Sequence, residues 1–198
     1  MKAVVFDIGN VLIQWDPVLA WVEDFGSREA TEDFLDQVDF YARNLRGDGG
    51  ETFADMSTEI ADDADRERFA EYVDRYPLTV PQKVPGTWDI LFKLKANGTP
   101  IHAITNWSAE TWPEGMKVHP ELGQVFDVTV VSGQEKMLKP EARIYELLCE
   151  RAGLSPADCI FIDDSPKNVE GARAVGMDAI HFTDADALAR ALSERQML

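Results

Sequence analysis

The stretch Ala3-Val4-Val5-Phe6-Asp7-Ile8-Gly9-Asn10 passes from four apolar residues straight into turn chemistry. A short apolar run without polar alternation reads as a β-strand buried on both faces, the pattern of a parallel sheet. Asp-Ile-Gly-Asn is turn material that ends it. Four further runs of the same kind follow at residues 101–105, 128–132, 159–162 and 179–182. Helical periodicity lies between them at residues 88–96, 141–152 and 169–175. Strands alternating with helices predict an α/β fold, a parallel sheet with right-handed crossovers.

One gap breaks the alternation. Residues 15–83 hold no convincing strand, only acidic, amphipathic helical sequence. Asp16-Pro17 reads as a helix start, with Asp16 as N-cap and Pro17 in the first turn. Asp62-Asp63-Ala64-Asp65 reads as a break, and residues 81–86 as a return linker. The expected organisation is a core of residues 1–14 and 84–198 carrying a helical insertion, 15–83, directly after the first strand.

Composition narrows the function. With 198 residues, 45% hydrophobic and 28% charged, the chain suits one globular core with a modest insertion. No stretch approaches the ~20 apolar residues of a membrane span, and no signal-peptide pattern precedes Asp7. A cytoplasmic protein without a membrane partner is expected. The formal charge of −17 argues against nucleic acid. Cys149 and Cys159 both sit in core-like runs and read as buried, reduced thiols. Oligomeric state has no readable signature.

Ligands of such sheets sit at the carboxyl ends of the strands. There the sequence places Asp7 after the first strand, Thr105-Asn106 at the second and Asp163-Asp164 at the fourth, with Lys139-Pro140 before the 141–152 helix. This set suits phosphoryl transfer on a small phosphorylated metabolite. Asp7, Asp163 and Asp164 are oxygen ligands for Mg²⁺. Screened by that ion, Asp7 can attack phosphorus as the nucleophile. Thr105 can donate to a phosphoryl oxygen, and Lys139 can neutralise developing charge. Lys139 is preferred to Lys136 because it precedes the proline that opens a helix.

The runs Phe6-Asp7-Ile8-Gly9-Asn10-Val11-Leu12, Ile104-Thr105-Asn106, Lys139-Pro140 and Phe161-Ile162-Asp163-Asp164-Ser165 resemble the four ordered motifs of the haloacid dehalogenase superfamily. The stretches 139–145 and 161–172 most resemble the branch typified by α-D-glucose-1-phosphate phosphatase. The resemblance implies a Rossmann-like three-layer core whose 15–83 insertion is a helical cap. It implies a Mg²⁺-dependent phosphatase that passes through an aspartyl phosphate on Asp7. It further implies that the carbonyl of Gly9 joins Asp7, Asp163 and Asp164 as metal ligands, that Thr105, Asn106 and Lys139 hold substrate, and that Asn168 orients the acidic pair.

Position 9 departs from the pattern. The superfamily's phosphatases usually place there a second aspartate, which protonates the leaving group and then activates water. Gly9 has no side chain for this. A good leaving group, as in a sugar 1-phosphate, would need less help. Asp16 and His119 are the candidate substitutes, Asp16 being better explained as a helix cap. The alternatives are a 2-haloacid dehalogenase using Asp7 on carbon, or a weakly catalytic phospho-ligand binder. Paired acids at 163 and 164 favour metal, and metal favours phosphate. Trp107 and Trp112 read as packing, His102 as structural, and Gly47-Asp48-Gly49-Gly50 as a turn.

Overall fold

A computed structural model describes residues 2–198. Five strands, β1 (Ala3–Phe6), β2 (Ile101–Thr105), β3 (Val128–Val131), β4 (Cys159–Asp163) and β5 (Asp178–His181), form one parallel sheet in the order β3-β2-β1-β4-β5. Every residue of β1, β2 and β4 is buried, which is why their sequences show no polar alternation. The strand period of two splits their side chains between two cores. Val4, Phe6, Ile101, Ile160 and Ile162 face one, while Val5, Ile104 and Phe161 face the other.

Twelve α-helices accompany the sheet among the described residues. Between β1 and β2 lie α1 (Val22–Phe25), α2 (Arg28–Gln37), α3 (Phe40–Asp48), α4 (Phe53–Ser57), α5 (Asp63–Ala70), α6 (Tyr72–Thr79) and α7 (Thr87–Ala96). After β2 come α8 (Trp112–Val118), α9 (Ser132–Glu135), α10 (Ala142–Ala152), α11 (Pro166–Ala174) and α12 (Ala185–Glu194). Leu91 and Leu94 of α7 join Leu188 and Leu192 of α12 in the first core, and Ile144 and Leu148 of α10 join Val169 and Ala172 of α11 in the second. Helices on both faces of a parallel sheet make the three layers of a Rossmann-like α/β fold.

The chain moves outward from β1 through β2 to β3, then returns to place β4 and β5 on the other side. The order therefore reverses at β1, and the crevice beyond the carboxyl ends of β1, β2 and β4 is the switch point.

Several boundaries differ from the sequence reading. Ser132 starts α9 instead of ending β3, and β5 sits one residue earlier than 179–182. Helix α11 begins at Pro166, whose fixed φ suits a first turn; periodicity starting at Val169 misses that turn. Asp16 caps a 3₁₀ turn, Pro17–Ala20, by accepting the Val18 N–H, and no α-helix starts there. Asp62 does not break a helix but starts one: its carboxylate accepts the N–H groups of Ala64 and Asp65, capping α5.

Helices α1 to α6 pack around aromatic rings. Tyr72 lies 4.9 Å from both Phe40 and Phe53, centroid to centroid, and Trp21 stacks on Tyr72 at 5.6 Å. Tyr76 reaches out to Trp107, 5.5 Å away, beyond the end of β2. Cys149 and Cys159 are free, buried thiols 4.0 Å apart, and burial pushes the Cys159 thiol up to about 12. No described helix is long and apolar enough to cross a membrane.

Candidate active site

Asp7 follows the last residue of β1 and stays in the ladder, its N–H bonded to the Ile162 carbonyl at 2.8 Å. Its Oδ1 accepts the Ile8 N–H at 2.7 Å and faces Lys139 Nζ at 2.8 Å. Beyond it the chain folds back tightly, with the Asn10 N–H bonded to the Ile13 carbonyl at 2.7 Å. Asn10 takes a left-handed φ of 55°, which asparagine tolerates well. This turn brings Gly9 to the wall of the pocket above Asp7.

Asp163 ends β4 and is fully buried, so each of its oxygens needs partners. Oδ1 accepts the Ser165 N–H at 2.8 Å and the Asn168 amide at 3.0 Å; Oδ2 accepts Lys139 Nζ at 2.7 Å. Asn168 thus bonds Asp163 alone, not the acidic pair as a unit. Asp164 lines the pocket, and its main-chain carbonyl meets His181 Nε2 at 2.9 Å.

Lys139 is 3% exposed and lies between Asp7 and Asp163, with a further bond to the Ile104 carbonyl at 3.2 Å. Asn106 holds it there. The Asn106 Oδ1 accepts the Lys139 N–H at 2.9 Å, and its Nδ2 donates to the Lys139 carbonyl at 3.1 Å. The side chain expected to touch substrate instead clamps the lysine's main chain. Thr105 Oγ1 is buried at the end of β2 without a hydrogen-bond partner. Thr105 does not itself line the pocket, and its unpartnered hydroxyl is a buried donor still to be satisfied.

One oxygen from each of Asp7, Asp163 and Asp164 can be drawn so that all lie within 4.8 Å of one another. Three carboxylates against one ammonium leave a formal excess of two negative charges (−3 + 1 = −2), the complement of one divalent cation. The titration behaviour agrees. Burial pushes the Asp7 carboxyl up to about 8, with Asp163 adding to the effect and Lys139 opposing it. Burial and the charge of Asp163 also raise Asp164. Lys139 loses hydration, but its two carboxylate neighbours outweigh that and hold it charged, above its ordinary value. Hard oxygen donors with surplus negative charge fit Mg²⁺.

The pocket over this edge has a volume of ≈ 160 Å³. Asp7, Gly9 and Asp164 line it from the ends of β1 and β4; Trp15, Asn44, Asp48, Tyr76 and Val80 line it from the region between β1 and α7. Sequence reasoning missed Asn44, Asp48 and Tyr76. Gly47 and Asp48 end α3 and only Gly49 and Gly50 make the turn after it, so the expected turn is half helix; Asp48 lines the pocket, and the glycines around it were the available signal. Trp107 and Trp112 are buried edge to face at 5.1 Å, and Trp107 also lines the pocket. His102 is buried with a lowered pKa, and Lys136 is exposed. Asp16 pairs with Arg28, and His119 Nε2 meets the Val80 carbonyl at 2.7 Å; neither lines the pocket.

The profile of the haloacid dehalogenase-like hydrolase family matches residues 1–176. A sesquiterpene phosphatase of Aspergillus oryzae is 28% identical over 202 residues, covering all of this chain and 96% of its own. A phosphorylated carbohydrates phosphatase of Thermotoga maritima is 26% identical over 188 residues, spanning 91% of this chain and 84% of its own. Among solved structures, a HAD family enzyme of Bacteroides thetaiotaomicron in complex with magnesium and inorganic phosphate superposes with a TM-score of 0.72 at 21% identity, covering 93% of this chain and 95% of that one.

Proposed function

We propose, from the premise that this chain belongs to the haloacid dehalogenase-like hydrolase family, that it is a Mg²⁺-dependent phosphatase of a small phosphorylated metabolite. The observation that carries this reading is the charge of the cluster. The cluster that includes the carboxylate nucleophile carries a formal surplus of two negative charges, and a phosphate dianion can approach only if a cation offsets them. An uncharged haloacid carbon would need no such arrangement. The relatives named as phosphatases accord with the phosphate reading while differing in the skeleton they act on.

Asp7, the Gly9 carbonyl and Asp164 would hold the ion, with Asp163 supporting from behind through Lys139 and Asn168. When bound, the ion supplies charge neutralisation and Lewis acidity toward a phosphoryl oxygen. The Asp7 Oδ1 is engaged by Ile8 and Lys139, which reserves Oδ2 for attack on phosphorus. Thr105 Oγ1 donates to a phosphoryl oxygen, and Lys139, held by Asn106, neutralises the Asp7 side of the transition state. The P–O bond to the leaving group breaks, an aspartyl phosphate forms on Asp7, and water then returns the carboxylate and inorganic phosphate. Residues 15–83 act as the cap, whose Trp15, Tyr76 and Val80 enclose the leaving group's carbon skeleton. Two buried, reduced thiols suit a cytoplasmic setting.

The test is phosphate release from a panel of phosphomonoesters, sugar 1-phosphates included, with Mg²⁺ or with EDTA. Release that needs Mg²⁺ and vanishes in Asp7→Asn, with an unchanged circular dichroism spectrum, is the expected result. Undiminished release from Asp7→Asn, or metal-independent turnover of haloacids with no phosphate release, would overturn it.

A further inference from the structure

An alkoxide leaving group needs a proton, and Gly9 has no side chain to give one. The substitutes suggested by sequence are occupied elsewhere. Asp16 caps the Pro17–Ala20 turn and pairs with Arg28. His119 is buried against the Val80 carbonyl, off the pocket.

We infer that Asp48 is the general acid and base of this site, supplied across the pocket by the last residue of α3. This rests on the phosphatase reading above and adds the group that the reading lacks. Three carboxyls line the pocket, those of Asp7, Asp48 and Asp164. Asp7 and Asp164 belong to the cluster that suits a cation, whereas Asp48 stands outside it. It is therefore the one lining carboxyl free to move protons.

Its position is built from both sides. The Asp48 carbonyl accepts a 2.6 Å hydrogen bond from the Oγ of Ser132, the first residue of α9 directly after β3, tying Asp48 to the carboxyl side of the sheet that carries the nucleophile. Ser132 is fully buried and also accepts the Trp107 N–H at 2.9 Å, so the anchor is rigid. The Asn44 amide, one helical turn earlier, donates to Asp48 Oδ2 at 3.2 Å and aims the carboxyl. The flanking glycines permit this seating. A Cβ on Gly47 would stand 3.0 Å from the Phe53 ring, and one on Gly50, at φ 100°, would stand 2.9 Å from Lys136 Cγ. A side chain at 47 would press on the Phe53 ring, and one at 50 would strain a left-handed backbone.

The electrostatic setting suits both roles. Burial pushes the Asp48 carboxyl up to about 7, against the pull of the Ser108 main chain and the Lys139 charge. The groups facing it are Asn44, Tyr72 and Tyr76 from the α1–α6 region, and Ser108, Ser132 and Lys139 from the core. Tyr76, the other titratable group on that wall, is held well above its ordinary value by burial and keeps its proton. An acid titrating near neutrality both gives and takes one.

In the first half-reaction Asp7 Oδ2 bonds to phosphorus, the P–O bond to the leaving group breaks, and the Asp48 proton passes to the departing oxygen. In the second, the Asp48 carboxylate takes a proton from water, and the hydroxide oxygen bonds to phosphorus. The P–O bond to Asp7 then breaks, releasing inorganic phosphate and restoring both side chains.

The experiment compares wild type with Asp48→Asn on phenyl phosphate and p-nitrophenyl phosphate in Mg²⁺. If the wild type releases phosphate from neither aryl phosphate nor the metabolite panel, the phosphatase reading has failed. Given turnover, the expected result is a loss of about 10²–10⁴-fold in kcat/KM on phenyl phosphate and a much smaller loss on p-nitrophenyl phosphate, whose phenolate leaves unaided. A burst of p-nitrophenol equal to the enzyme present should accompany it, because the phosphoenzyme accumulates without its base. The p-nitrophenyl rate also reports that the variant is folded. An Asp48→Asn enzyme whose kcat/KM is unchanged, or falls equally on both substrates, overturns the assignment.

Discussion

Replacing Lys139 by methionine removes an ammonium from between two buried carboxylates while keeping most of the side chain's apolar volume. Lys139 Nζ lies 2.8 Å from Asp7 and 2.7 Å from Asp163, and Asp163 is fully buried. Deleting one partner of a buried ion pair destabilises by about 3–5 kcal/mol, since an uncompensated charge stays behind. For a chain of this length each kcal/mol moves Tm by roughly 2–4 °C, so a fall of about 6–20 °C is expected in EDTA. The pH dependence has a definite sign. Asp7 is already raised to about 8 with Lys139 pulling it down, and loss of that pull raises it further. The folded variant then binds a proton that the unfolded chain releases, so its stability is lost as pH rises. Asp7 keeps its proton in both folded proteins below about pH 8, so the extra deficit opens above that value and grows as pH rises toward the variant's higher one. Thermal melts of both proteins at about pH 6 and pH 9 measure this. A deficit under ~3 °C at both values, or one that grows on acidification, would refute the reasoning.

Titrating Mg²⁺ into the EDTA-treated protein should raise Tm by about 5–11 °C at a hundredfold excess over Kd, the ~2.7 kcal/mol of ligand linkage. Asp164→Asn should abolish the rise, as read by differential scanning fluorimetry. Gly9→Asp is sterically free, because a Cβ there meets no atom within 4 Å. In the Asp48→Asn background it should recover at least ~10-fold in phenyl phosphate kcat/KM by restoring a proton donor at position 9.

The parallel sheet and most of its helices were legible because buried strands print as unbroken apolar runs and helices as a 3.6-residue period. Asp7, Thr105 and Asp163 were legible as the polar residues at which such runs stop. Lys139 was distinguishable from Lys136 by the proline after it. These are signals carried by residues adjacent in the chain. The roles of Asn106 and Asp48 were not. Asn106 looks like a strand-end polar residue until its amide is found bonded to a main chain 33 positions away. Asp48 looks like the charge in a glycine turn until Ser132, 84 positions away, fixes it over the pocket. The sequence alone therefore determined the strands of the sheet and the helices between them to within a few residues at their ends. Only the tertiary structure decided which polar groups share a low-dielectric crevice, because burial, partner and proton affinity are set by neighbours that chain order does not specify.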